Sequence, residues 1–462
     1  MASRLRRSLG HPLTGLALVF GLLLAACGGP ETPPNVVLVV LDTVRADHLS
    51  CYGYGRPTSP RLAALCERAD RHAVARSTAP WTLPSHASLF TGEFPFQHHA
   101  DAELVDAVFN DARPLAPEEL TLAEALAAEG YATAAFAANR GYVNERMGLT
   151  QGFETFVNER RPGVEMSKLA HEWVKARPAE KPFFLFVNYM DAHRPYNVAP
   201  VDGPNEAALP AAPAENPSAL LDELYQQIYA SDAPPDAALL QKAIDAYDRG
   251  IAHADRGVGE LLDLLEKDGL LDEALVIVTA DHGEYLGEHD LVEHSKDVYE
   301  PALRVPLIVK HPRQSAGRVI DEPASIADVP GMVLAELPRA QRARYEGKFP
   351  GQKGVHGLFA ELNYSRGKDM AAPWGERFLR ERSALYLERW KVIRSSDGRH
   401  ELYDLATDVR EERNLFAERP KEAQLLLDTL ARIQARAAGS RASVEVREPS
   451  EDELKELREL GY

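Results

Sequence analysis

Three largely apolar segments constrain the fold of this chain more than any other feature. They are residues 35–41, 182–189 and 274–280, rich in β-branched or aromatic side chains and without apolar/polar alternation. This pattern is typical of strands buried on both faces of a parallel sheet. Amphipathic helical patterns lie between them, at residues 118–129 and 243–267. The alternation predicts an α/β fold with a large, mostly parallel sheet flanked by helices.

Polar side chains follow each apolar segment at its carboxyl end. These residues are Asp42, then Asp191 and His193, and then Asp281 and His282. The carboxyl ends of parallel strands meet at one edge of an open sheet, where ligands bind. An aspartate after a strand often only caps a helix, because its carboxylate accepts hydrogen bonds from free amides. Together, Asp42, Asp281 and His282 offer ligands that suit a divalent cation.

A hydroxyl-rich segment at residues 78–92 adds a third element. In it, Thr82 precedes a proline-containing turn and an apparent helix start. One interpretation is a simple capped helix with Thr82 or Ser85 at the N-cap. The alternative is a nucleophilic hydroxyl at a helix N-terminus, where the dipole and free amides stabilise negative charge. The local sequence leaves both open.

The N-terminus carries a targeting pattern. Three arginines precede a short apolar stretch, residues 16–26, which ends directly before Cys27. The pattern resembles a bacterial lipoprotein signal. We therefore expect a signal peptide at 1–26, a tether at 27–34 that is lipidated on Cys27, and an exported protein anchored to a membrane. The outer membrane facing the periplasm and the cell surface are the expected places, and an uncleaved anchor helix is the alternative.

The remaining cysteines, Cys51 and Cys66, would then lie in an oxidising compartment. A bridge between them is possible there. We expect two buried free thiols instead, because the spacing of apolar residues around Cys66 predicts the inner face of a helix.

The net charge excludes one class of partner. At −18, the chain lacks the basic surface of a general nucleic-acid binder. An anionic substrate therefore needs a local positive pocket, which a bound cation with a few histidines or lysines can supply.

Composition also divides the chain. We expect a large α/β domain at residues 35–350 and a smaller α+β subdomain at 351–462, where strand-like pieces precede a helix at 420–437. Residues 197–235, rich in Pro, Ala and Asp, predict an insertion that covers the site. An idle surface loop is the alternative.

A series of motifs runs through nearly all of the chain after the signal. They occupy residues 35–42, 51–54, 83–92, 281–284, 287–289, 305–309, 328–330, 401–405 and 457–462. In order and spacing they resemble the sulfatase family of the alkaline-phosphatase-like superfamily. The resemblance implies a mixed, mostly parallel sheet flanked by helices, a small C-terminal antiparallel sheet with a helix, and metal-assisted ester hydrolysis.

Several positions depart from that family's pattern. Thr82 and His86 stand where sulfatases carry the ends of C-x-P-S-R, whose first residue is oxidised to formylglycine. A threonine cannot give this aldehyde, so we expect no formylglycine. Thr43 replaces a second Asp ligand and His282 replaces a common Asn, which shifts the ligand set from calcium toward zinc or manganese. These departures resemble the phosphodiesterase, phosphonate-ester hydrolase and phosphoethanolamine-transferase branches of the superfamily.

The resemblance also implies substrate contacts. His193 matches a substrate-contacting histidine of the family. His294 falls where a family lysine meets the leaving group, and Lys296 is the competing candidate. Asn139 and Arg140 lie where the family often places another contact.

The sequence thus predicts a metal-dependent ester hydrolase. Asp42, Thr82, Asp281 and His282 are the expected ligands of a divalent ion, with zinc, manganese and calcium left open. The expected catalytic side chains are Thr82 as the nucleophile, His86, His193, His294 and Lys296. Phosphoesters are favoured over sulfate esters, because a sulfated threonine lacks the release route that a formylglycine hydrate provides.

The expected substrate is a small-molecule, glycan or lipid-headgroup ester. Three alternatives remain: a sulfate-ester hydrolase that acts without formylglycine, a phosphoethanolamine-type transferase, and a catalytically silent lipoprotein that binds glycans.

Overall fold

The protein's structure, a computed structural model, describes residues 32–104, 110–196, 217–231, 234–350, 358–363 and 366–437. The predicted signal peptide, Cys27 and the motif at 457–462 lie outside these ranges. So does most of the predicted insertion. Within them, no helix is long and apolar enough to cross a membrane.

An eight-stranded mixed sheet forms the centre of the large domain. In spatial order its strands are β14 (Arg318–Ile320), β2 (Asp70–His72), β13 (Leu307–Lys310), β9 (Leu275–Thr279), β1 (Val36–Leu41), β8 (Phe183–Tyr189), β6 (Ala132–Ala137) and β7 (Thr155–Asn158). The three predicted apolar segments are β9, β1 and β8, which are adjacent, parallel and fully buried. β13 runs antiparallel to β9. The predicted fold class is therefore confirmed.

Smaller sheets surround this centre in the described residues. They comprise the three-stranded sheet of β3 (Ala75–Arg76), β12 (Arg304–Val305) and β15 (Ala324–Ser325), the pair β4 (Ala102–Leu104) and β5 (Asn110–Ala112), and the pair β10 (Tyr285–Leu286) and β11 (Val292–Glu293). A four-stranded antiparallel sheet follows toward the C-terminus: β16 (Leu358–Asn363), β17 (Glu381–Leu387), β18 (Trp390–Ser395) and β19 (Glu401–Asp404).

The α-helices are α1 (Pro60–Cys66), α2 (Thr82–Thr91), α3 (Pro95–His98), α4 (Leu122–Ala128), α5 (Gly163–Ala176), α6 (Pro217–Ala230), α7 (Ala237–Lys267), α8 (Glu300–Leu303), α9 (Val329–Ala335), α10 (Arg339–Arg342), α11 (Gly367–Met370) and α12 (Pro420–Ala437). Two of them begin at residues other than those predicted, because side-chain caps fix their starts. Thr121 and Glu124 form a capping box before α4. Asp236 caps α7 and extends it six residues toward the N-terminus.

The described part of the predicted insertion is the helix α6 rather than a loop. Its side chains Leu220, Leu221 and Leu224 are buried. Leu220 and Leu224 pack with Ala243 of α7, and α6 also lies against β11. This part of the insertion is therefore packed onto the large domain.

The two described cysteines are free thiols, as predicted. However, both are half-buried rather than buried. Cys66 is the last residue of α1, and Cys51 lies in a short 3-10 turn. Both positions therefore lie at the margin of the core.

Candidate active site

Three side chains meet at the carboxyl edge of the central strands. Asp42 follows β1, while Asp281 and His282 follow β9, and one ligand atom from each lies within 4.8 Å of the others. All three side chains are fully buried. They meet because β1 and β9 are parallel neighbours that end at the same level.

Each carboxylate keeps one oxygen without a hydrogen-bond partner. Asp42 Oδ2 accepts hydrogen bonds from the side chains of Asn139 (2.9 Å) and Asn188 (3.3 Å). Asp281 Oδ1 accepts hydrogen bonds from two backbone amides, at 3.1 and 2.9 Å. Asp42 Oδ1 and Asp281 Oδ2 have no hydrogen-bond partner within the described residues. Such buried oxygens are costly in free energy unless something pairs with them. A divalent cation fits this donor set.

Burial disfavours the charged form of all three groups and shifts their pKa values accordingly. Burial and then the charge of Asp281 raise the pKa of Asp42 to about 7. Burial raises the pKa of Asp281 to about 7 and lowers the pKa of His282. His282 Nδ1 lies 2.9 Å from the carbonyl oxygen of Gly283. The neutral ring donates from Nδ1, so its Nε2 carries the lone pair that a metal ligand needs.

Thr82 places its hydroxyl beside this cluster. It is the first residue of α2 and follows the N-cap Trp81, which makes no side-chain capping bond. Thr82 Oγ1 lies 3.5 Å from His282 Nε2. Because Thr82 follows the N-cap and its hydroxyl lies against His282, the simple helix-cap interpretation does not describe this residue.

Asn139 connects the nucleophile candidate to the ligand cluster. Its Nδ2 donates to Asp42 Oδ2 at 2.9 Å and to Thr82 Oγ1 at 3.3 Å. It follows the end of β6, so it reaches the same sheet edge as Asp42. The neighbouring Arg140 is exposed instead. Asn188, which the sequence analysis missed, is a lone amide inside a buried apolar strand, and that contrast is the signal that could have revealed it.

Three histidines form a row beside the ligand cluster. The ring of His294 lies 4.7 Å from that of His282 and 5.0 Å from that of His193, between centroids. Burial lowers the pKa of His193 and of His294 well below the usual range. His294 Nδ1 lies 3.2 Å from Glu284 Oε1. His193 Nδ1 lies 2.8 Å from the carbonyl oxygen of Arg194.

The other two predicted catalytic residues have different surroundings. His86 Nδ1 lies 2.9 Å from the carbonyl oxygen of Thr82, one helical turn earlier, and 3.6 Å from Asp281 Oδ2. Burial lowers the pKa of His86 to about 3. Lys296 forms an ion pair with Asp369. Of the two candidates for the leaving-group contact, His294 therefore belongs to the row of histidines, whereas Lys296 is paired with Asp369.

The large mixed sheet, with the carboxylate–histidine cluster at its edge, has an alkaline-phosphatase/sulfatase-like fold. A sequence model described as Sulfatase matches residues 34–336. The chain belongs to the sulfatase family.

The names of its relatives give different activities. The chain is 25% identical over 352 residues to an ulvan-active sulfatase of Formosa agariphila, covering 68% of this chain and 65% of that protein, less than two thirds of its length. It is 26% identical over 398 residues to the multifunctional alkaline phosphatase superfamily protein PehA of Trinickia caryophylli, covering 67% and 75%. The crystal structure of a phosphonate monoester hydrolase of Agrobacterium radiobacter shares the fold, with a TM-score of 0.64, 19% identity and coverage of 87% and 96%.

Proposed function

We propose that this protein is a metal-dependent hydrolase of phosphate or phosphonate esters, with sulfate esters as the less favoured substrates, and that Thr82 is its nucleophile. The observation that carries the proposal is the position of the Thr82 hydroxyl, 3.5 Å from His282 Nε2 and within the reach of Asn139. We also propose export and membrane anchoring through a lipidated Cys27, which the N-terminal sequence pattern supports.

Asp42, Asp281 and His282 would hold the cation, and Thr82 Oγ1 would complete the set. When a divalent ion is bound there, it supplies positive charge that lowers the pKa of the Thr82 hydroxyl and stabilises anionic oxygens. The Thr82 hydroxyl gives its proton to water, Oγ1 attacks the phosphorus atom, and the ester bond to the leaving alcohol breaks. The product is a phosphothreonine. Asn139 orients Thr82 for this attack through its Nδ2 donor.

His294 is suited to donate a proton. His294 Nδ1 lies 3.2 Å from Glu284 Oε1, and burial raises the pKa of this carboxyl well above its usual value. As the protonated Glu284 carboxyl transfers its proton to Nδ1, the ring passes its Nε2 proton to the oxygen of the leaving group and stays neutral.

In the His193 ring, the proton and the lone pair are on the opposite nitrogens from those in His294. Its Nδ1–H donates to the carbonyl oxygen of Arg194, so Nε2 carries the lone pair. This nitrogen can take a proton from the water that hydrolyses the phosphothreonine, which releases the acid and restores Thr82. The two histidines therefore divide the acid and base steps between them.

The preference for phosphorus rests on this second step. A sulfated threonine has to be cleared by attack at sulfur, whereas metal-assisted hydrolysis of a phosphorylated hydroxyl follows ordinary phosphoryl-transfer chemistry. The likeness to PehA and to a phosphonate monoester hydrolase supports this preference, and the likeness to an ulvan-active sulfatase keeps sulfate esters in the test.

The test measures the activity of wild type, Thr82→Ala, Thr82→Ser and Thr91→Ala on four p-nitrophenyl substrates. These are a phosphate monoester, a phosphate diester, a phenylphosphonate ester and a sulfate ester. Thr91 is a matched control, because it is a buried hydroxyl at the other end of α2 that bonds to Ala87 O. We expect Thr82→Ala to lose at least about a thousandfold in kcat, Thr82→Ser to keep part of the activity, and Thr91→Ala to resemble wild type.

Two results would contradict the proposal. Full activity in Thr82→Ala would remove this residue from the nucleophile's role. A strong preference of the wild type for aryl sulfate would overturn the preference for phosphorus.

A further inference from the structure

One ion pair joins the segments that carry the two substrate-side histidines. Arg194 directly follows His193, and Glu293 directly precedes His294. Arg194 Nη1 lies 2.6 Å from Glu293 Oε1. Glu293 is fully buried and Arg194 is 8% exposed. The residues next to the two histidines are thus linked by their side chains in the protein interior.

The same carboxylate is anchored on its other side. Glu293 Oε2 pairs with Arg366 and accepts a hydrogen bond of 2.5 Å from Tyr225 on α6. Arg366 is itself fixed by Asp369, with Nε 2.9 Å from Oδ2. Glu293 is therefore held by groups from three separate parts of the chain. A carboxylate held in this way can keep the residues next to it in fixed positions.

The backbone around His294 needs such support. Glu293 and Ser295 have φ values of 63° and 59°, a left-handed conformation that side-chain-bearing residues rarely adopt. The hydroxyl of Tyr229 contacts both polar backbone atoms of Val292, at 3.2 Å from its oxygen and 3.0 Å from its nitrogen. Backbone of this kind persists only where surrounding contacts determine it. The contacts of Glu293 and Tyr229 perform that task here.

We propose that Glu293 is a positioning residue that sets the distance between His193 and His294 across the substrate. It acts through Arg194 on one histidine and through the chain on the other, and it touches no reacting atom. The inference rests on the proposed function, because it concerns the same site. A purely structural ion pair is the alternative, in which Glu293 contributes only to stability.

The test measures kcat, KM, metal content and Tm for Glu293→Gln. The matched control is Glu300→Gln, which removes another buried carboxylate with a buried cationic partner, Arg76. We expect kcat of Glu293→Gln to fall about 10- to 100-fold with KM within about threefold of wild type. Metal content should stay at the wild-type level, because Glu293 is not one of the ligands. Glu300→Gln should lose similar stability and keep its kcat.

The double variant Arg194→Met, Glu293→Gln separates positioning from stability. Removing both partners relieves the unpaired buried charge, so Tm should rise relative to Glu293→Gln. The kcat should stay low, because the link between the histidines is still absent. Recovery of kcat together with Tm would overturn the inference.

A crystal structure of Glu293→Gln gives a readout independent of turnover. We expect the ring centroids of His193 and His294 to separate by more than about 1 Å from the present 5.0 Å, since this linkage holds the strained segment. An unchanged separation would overturn the inference. If Thr82→Ala remains fully active while this separation does change, the proposed nucleophile fails and the positioning role stands.

Discussion

Two regions of buried charge in this protein differ in how their charges are paired. At the junction where the C-terminal sheet meets the rest of the chain, charges are paired: Arg382 Nε lies 2.8 Å from Asp297 Oδ1, and Arg76 Nε lies 2.9 Å from Glu300 Oε1. Burial acts to raise the pKa of Glu300, but the charges of Arg76 and Lys391 outweigh it and lower the pKa to about 2.

At the carboxyl edge of the central strands, neither Asp42 nor Asp281 forms an ion pair with an arginine or lysine of the described residues. Burial therefore dominates, and the pKa values of Asp42 and Asp281 rise to about 7. The difference shows which charges are structural. Paired charges at the junction connect β17 and β3 to residues 297–300, whereas the carboxylate oxygens without a hydrogen-bond partner at the sheet edge are suited to an external cation.

The largest effect expected from this contrast is on activity, in Asp42→Asn. Asparagine keeps the oxygen that accepts from Asn139 but removes the negative charge that a cation needs. We expect kcat/KM to fall by about 10⁴-fold with loss of bound metal, while the Tm of the metal-free protein stays equal or rises. Enzyme assays, elemental analysis and calorimetry measure the three quantities.

The matched control is Asp255→Asn, a buried carboxyl whose pKa burial also raises to about 7 but which accepts hydrogen bonds from backbone amides at the start of α1. It should retain metal and activity. An Asp42→Asn protein that still binds metal and turns over substrate would abolish the distinction between the two regions.

The junction should show the reverse behaviour in Arg382→Met. This change removes the cation shared by Asp297, which is buried and keeps Arg380, and Glu401, which is half-buried. We expect the free energy of unfolding to fall by about 3 to 5 kcal/mol and kcat to stay within about threefold of wild type, because no residue of the site is altered. Urea unfolding and steady-state kinetics measure these effects.

Arg389→Met is the control for that variant. Arg389 pairs with Asp404 in the same sheet but is 48% exposed, so its loss should cost less than about 1 kcal/mol. Equal losses in the two variants would mean that burial does not set the value of these ion pairs.

Glu361 is an exception at the junction and gives the smallest effect. It is buried on β16 with Oε2 unpaired, and burial raises its pKa from 4.5 to about 7. The folded state therefore binds more protons between these values, and its contribution to stability is lost as pH rises through about 7. Glu361→Gln should match wild type near pH 5 and exceed it at pH 8 by about 1 to 3 kcal/mol.

Urea unfolding at both pH values tests this prediction. Parallel pH profiles for wild type and Glu361→Gln would show that the carboxyl ionises in the folded state without cost.

The three central strands could be predicted from the sequence, because local composition alone identifies a strand that is buried on both faces. The sequence also predicted that Asp42, Asp281 and His282 lie together, since parallel strands bring their ends to one edge of the sheet. It could not separate His294 from Lys296, which lie two positions apart. The different surroundings of the two side chains depend on the left-handed backbone at Glu293 and Ser295 and on the distant Asp369, which pairs with Lys296.

The contacts that orient the site were also beyond local patterns. Asn188 and Arg194 contact partners far away in the chain, Asp42 and Glu293. Pairings of this kind are set by the packing of whole elements, which no short window of sequence contains.

The pairing of Glu293 with Arg366 has a consequence for protein engineering. Arg366 belongs to the chain beyond residue 350, yet its guanidinium completes the surroundings of His294 from the C-terminal side. The part of the chain beyond residue 350 is therefore not an interchangeable module. A chimera that joined residues 35–350 to the C-terminal part of a relative would need a matching guanidinium at that place, or Glu293 would lose one of its two cationic partners beside the histidines.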